Sequence, residues 1–187
     1  MVNPADAQKM MFQAATKNQS PQTVASYTVL GSRAGFQGHV IAYWMCKPDA
    51  PDQPAVALTG FGIVRRYNGE TGIQMLGNSE ASLPKANSLI EFTALVLEPS
   101  DGKMYMVYGR ILSTLVQSVE VEYVDQQRLR WPAGSGGFLL FRDEPVDWVR
   151  LNVLGQNDQV LKSYDLSKEA ATLSERAEFR EQDCPQK

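Results

Sequence analysis

One histidine, His39, and two cysteines far apart, Cys46 and Cys184, are all this chain has of the side chains that hold transition metals most readily. No pair of them has ligand spacing, so neither a metal nor a cofactor is expected. The shortage of histidine also thins the catalytic options. A Ser-His-Asp arrangement would have to use His39, and no serine stands in a G-x-S-x-G elbow. Gly134-Ser135-Gly136-Gly137 is glycine-rich, but it follows a strand pattern and opens no helix, which removes it as a phosphate cradle. Nor is there an excess of positive charge. Lys and Arg number 18 against 21 Asp and Glu, and the only local basic clusters are Arg65-Arg66 and Arg128 with Arg130. Tracking a phosphate backbone needs a basic stripe, so nucleic acid is not expected as a partner. Long apolar runs are missing too: none approaches the roughly 18 residues of a membrane span.

The opening MVNPADAQKM has neither the basic nor the apolar region of a secretion signal. Two readings stay open. The protein is cytoplasmic, or it is extracytoplasmic and an export segment ahead of Val2 was removed. The cysteines favour export, because a Cys46–Cys184 disulfide would tie the C-terminal tail to the body. Two unrelated free thiols are the alternative.

What the chain has in quantity is β pattern. Residues 1–22 read as a helix, with Asn3 as N-cap, Pro4 at the first helical position, and Ala7, Met10, Met11, Ala14 and Ala15 on one stripe. The stripe is expected to dock on the protein's own sheet. Residues 23–80 read as an antiparallel unit. VASYTVLG is a strand, SRAGFQG its turn, and HVIAYWMCK a strand apolar on both faces and therefore central. KPDAPDQP is a loop. AVALTGFGIVRRY runs into Asn68-Gly69, a two-residue hairpin turn that places Val64 opposite Ile73 and Gly62 opposite Met75. The small polar residues 77–88 suit a long loop or a domain boundary.

Residues 81–166 read as a β-sandwich-like unit. LIEFTALVL and KMYMVYGRIL flank a Pro/Gly turn, and VQSVEVEYV alternates cleanly. With Asp125-Gln126-Gln127 as the next loop, Glu122 faces Arg130, Tyr123 faces Leu129 and Val121 faces Trp131. GFLLFR and VDWVRLNVL follow, the latter with Val149, Leu151 and Val153 inward, and Gly155-Gln156-Asn157-Asp158 turns the chain into QVLKSY. The charged tail, residues 167–187, carries a short helix on Leu166, Ala170, Leu173 and Ala177. The expected fold is thus mainly β: two antiparallel β units, the C-terminal one sandwich-like, with short N- and C-terminal helices.

Candidate chemistry is sparse. His39 starts a strand, where a hydrogen-bonded structural histidine is the ordinary outcome. Asp143, Glu144 and Asp147, like Asp49 and Asp52, lie in Pro-containing loops, where acids serve as solvated turn formers. The aromatics Trp44, Trp131, Trp148, Tyr43, Tyr105, Tyr108 and Tyr123 are numerous enough to line a groove for a peptide or a carbohydrate. By strand parity Trp148 shares a face with Arg150 and Asn152, which makes these three the candidate ligand-binding residues.

Gly109-Arg110-Ile111, Gly137-Phe138-Leu139 and the stretch from Val149 to Val160 resemble the strand layout of transthyretin-like or Ig-like β-sandwich modules in exported bacterial proteins of the lipoprotein type. The resemblance implies a sandwich and an extracytoplasmic place, and it carries over no catalytic residue. The expected function is a non-enzymatic binding or interaction module for a protein or a carbohydrate. The alternative is a small hydrolase using His39 with loop carboxylates.

Overall fold

A computed structural model describes residues 2–48, 55–82, 88–97, 103–166 and 172–175. Among them two short N-terminal helices precede three antiparallel four-stranded sheets. The chain divides into two compact units, one holding Met1–Ala86 and the other Asn87–Glu175.

In the first unit, helix α1 (Pro4–Thr16) starts as its sequence dictates: the Asn3 side chain accepts the Ala5 N–H at 2.9 Å. Its buried stripe, Ala7, Met11 and Ala15, packs in one cluster with Ile41, Tyr43, Met45 and Val64. A second helix, α2 (Pro21–Ala25), occupies the start of the expected first strand. Ser20 is the reason, since its hydroxyl accepts the Thr23 N–H and Pro21 presets φ for a first turn. The sheet then runs β1 (Thr28–Gly35), β2 (Gly38–Lys47), β3 (Val56–Tyr67) and β4 (Glu70–Ser82), each paired with the next.

Most of the expected SRAGFQG turn is therefore strand. The turn itself is Phe36-Gln37, at φ 51° and 59°, values that these residue types do not advertise. Asn68-Gly69 is the expected two-residue turn, with φ 50° and 88°. Val64 does face Ile73, but Ile63 faces Met75 and Gly62 faces Leu76, because Gln74 bulges out of the ladder. Strand β4 continues through Ser82, into the stretch read as a loop. Strand β2 is interior to the sheet and buried on both faces from His39 to Cys46, as its unbroken apolar run requires.

The second unit is a β-sandwich. One sheet has the order β11 (Val160–Asp165), β10 (Trp148–Leu154), β7 (Ser118–Tyr123), β8 (Arg128–Pro132). The other has β12 (Thr172–Glu175), β5 (Ile90–Leu97), β6 (Met104–Ile111), β9 (Gly137–Phe141). Phe92, Val107, Phe138 and Leu140 of the second sheet share a core with Val119, Val121, Tyr123, Leu151 and Val153 of the first. Truncating a buried ring such as Phe138 to alanine would cost about 3–5 kcal/mol.

Two expectations need correction here. The described part of the C-terminal tail is not helical: Thr172–Glu175 adds to the edge of β5, with Thr172 opposite Leu95 and Glu175 opposite Phe92. An open sheet edge offers backbone partners that outweigh a modest helical propensity. The β7–β8 register also differs. Glu122 faces Arg128, Val121 faces Leu129 and Glu120 faces Arg130. The loop begins one residue earlier than expected, at Val124, and ends at Gln126, whose φ is 65°. Asp125 accepts the Gln127 N–H at 3.1 Å and sets that turn.

Candidate binding face

Alternation on β7 and β8 sends Val119, Val121, Leu129 and Trp131 towards the core and leaves their charged neighbours on the outer face. The register of four strands then builds two rows. One reads Arg128, Glu122, Arg150, Asp165 across the sheet, and the next reads Arg130, Glu120, Asn152, Ser163. Charges of opposite sign stand side by side in both.

Glu120 anchors the arrangement. It is only 4% exposed, and Arg130 donates to its Oε2 from Nε at 3.2 Å and from Nη2 at 2.9 Å. The third arm of Arg130 reaches Asp158 Oδ1 at 2.6 Å, and these acceptors hold the guanidinium pKa above its ordinary value. Arg128 lies 3.6 Å from Glu120 and 3.9 Å from Glu122. Asn152 is buried under its neighbours and accepts from the Ser163 hydroxyl at 2.8 Å. Like Arg128, which is 58% exposed, Arg150 is held loosely: its side chain is 53% exposed and its closest ionic contact is 3.9 Å, to Glu122. Beside it lies a polar depression of about 500 Å³ lined by Val149, Arg150, Ser163 and Asp165.

Trp148 is not part of this face. Trp148 pairs with Tyr123 and Arg150 with Glu122, so Val149 is an extra residue in the ladder and the parity breaks there. The bulge turns the indole into the sandwich, edge-on to Tyr105 at 5.2 Å. Val149 consequently is half-buried rather than a core residue. Arg150 and Asn152 stay together; Trp148 is on the other side of the sheet. Alternation along β7 pointed to the glutamates, but Ser163 and Asp165 needed the pairing with β11, which no local pattern gives.

The loop acids have partners of their own. Arg142 reaches Glu144 and Asp125 at 2.5 Å each and lies over the Tyr123 ring. The Arg142 hydrogen bond holds the Asp125 carboxyl below its ordinary range. Asp147 accepts from the Tyr105 hydroxyl. Asp49 and Asp52 lie outside the described residues.

His39 is buried, with Nε2 2.7 Å from Ser32 Oγ, and burial pushes its pKa down. Among the described residues no carboxylate is hydrogen-bonded to it. Cys46 is buried and disulfide-bonded, and Cys184 lies outside the described residues. No described helix is long and apolar enough to cross a membrane. No family model, no curated protein and no solved structure matches the chain.

Proposed function

We propose that this chain is a non-enzymatic, extracytoplasmic protein-interaction module that engages its partner through the outer face of the β11-β10-β7-β8 sheet. One observation carries the reading: Arg150, half-exposed and, like Arg128, loosely held, stands beside a polar depression and next to a row in which Arg130 is tightly paired with Glu120 and Asp158. The paired groups are fixed in place, so a partner meets a pre-set pattern and Arg150 supplies the free donors. A protein surface suits this better than a sugar. Stacking on a sugar needs an exposed ring, and Trp148 is inside the sandwich. The disulfide at Cys46 supports a place outside the cytoplasm, where such bonds persist.

A peptide and glycan array probed with the wild-type chain and with Arg150→Ala tests the proposal. Peptide binding that falls about tenfold or more in the variant is the expected result. Binding indifferent to Arg150 would overturn it, as would hydrolysis by the wild type that His39→Ala abolishes in a folded protein.

A further inference from the structure

At the opposite kind of surface, in the first unit, Arg65, Tyr67, Gly72, Ile73 and Gln74 line a depression of about 350 Å³ at the hairpin end of β3 and β4. Its lining is mainly carbon, yet it holds one cation. The Arg65 stem lies flat across Gly38: a Cβ added there would sit 2.6 Å from Arg65 Cγ. That placement buries Arg65 Nε, which has no hydrogen-bond partner among the described residues. Opposite Arg65 on β4 is Gly72, and nothing stands within 4 Å of where its Cβ would be. The Gln74 bulge breaks the regular edge of the sheet beside it. Tyr67 rises from the same end of β3, 77% exposed.

A half-buried guanidinium without an anion is costly, and a ligand carboxylate would offset that cost with two parallel N–H···O bonds. A bare inorganic anion would leave the Tyr67 ring unused. The volume is at the small end for ligand pockets, about 300–1,000 Å³, which suits a body of one ring or one branched chain. We propose that this depression binds a small organic monocarboxylate whose apolar body lies against the Tyr67 ring, over the open space at Gly72, while its carboxylate meets Arg65.

Phenylacetate is a direct probe, with benzyl alcohol as the uncharged counterpart and acetate as the carboxylate without a body. In amide-detected NMR titrations of the full chain, phenylacetate should saturate with a Kd on the order of 1 mM, shifting Gly72, Gln74 and the Arg65 Nε–H. The two control compounds should bind at least about tenfold more weakly. Gly72→Val fills the open space in a strand that accepts valine, so it should fold normally and lose phenylacetate binding. Arg65→Gln should lose it as well. The proposal is overturned if phenylacetate gives no saturable shift, if benzyl alcohol binds equally well, or if folded Gly72→Val binds as the wild type does.

Discussion

Arg110 and Glu91 face each other across β6 and β5, with Nε and Nη2 of the arginine each 2.7 Å from the same glutamate oxygen and side chains only 11% and 6% exposed. Both charges have left water, so each depends on the other. Arg110→Met should lower unfolding free energy by about 3 kcal/mol or more, measured by urea denaturation at neutral pH. Replacing both partners, Glu91→Leu with Arg110→Met, should recover much of that loss. A single variant as stable as the wild type would show that the pair is not coupled.

Gly69 has φ 88°, inside the left-handed region where a β-branched residue is strained. Gly69→Val should destabilise the protein by about 1 kcal/mol or more. Since a side chain there would meet no atom within 4 Å, the loss comes from the backbone alone. Gly69→Asn, which tolerates this conformation, should cost less. Thermal melts of the two variants distinguish strain from crowding, which would penalise both.

His39 gives the fold a pH dependence of definite sign. Its folded pKa is lowered from 6.5 by burial, so the unfolded chain takes up a proton first as pH falls. Stability should therefore decline as pH drops through 6.5 and level off below the folded pKa. His39→Gln should flatten that step in a plot of Tm against pH. Asp125 acts lower down: its depressed pKa gives stability present above 3.8 and lost as pH falls through the folded value. An unchanged step in the glutamine variant would assign the decline to other groups.

A Cys46–Cys184 bond would close a loop long enough to contribute roughly 4–5 kcal/mol in the chain-entropy account. Protein made under oxidising conditions should titrate with no free thiol and yield one linked peptide pair on digestion. Reduction should lower its Tm by several degrees. Two titratable thiols in that material would remove the bond and, with it, the support it lends to an extracytoplasmic place.

Patterns confined to one segment were readable from the amino acids. Asn3-Pro4 fixed a helix start, Asn68-Gly69 a turn, and the alternation of β7 which side chains face water. Errors arose where one residue was added to a ladder. Gln74 and Val149 each shift every later partner by one, and nothing in their side chains marks them as bulges. Phe36 and Gln37 adopt positive φ without being glycine or asparagine, so SRAGFQG reads as a turn but does not show which two of its residues make it. The candidate face followed the same division. Parity puts Arg150 and Asn152 on one face, as the ladder does, whereas the bulge between Trp148 and Arg150 puts Trp148 on the other. Arg65 was visible only as half of a basic pair, because its neighbours Gly38 and Gly72 come from other strands.

The rows on the sandwich face have a consequence for encounter. Arg128, Arg130 and Arg150 are interleaved with Glu120, Glu122, Asp158 and Asp165 at strand spacing, about 5 Å. Fields of alternating sign at that pitch cancel within roughly one screening length of about 8 Å. An approaching protein would feel almost no pull or torque until its own groups interdigitate with these. Arrival would then be undirected, with an ordinary on-rate little changed by salt, and a wrong partner would be turned away only at touching distance, where a shift of one strand sets like charges against each other.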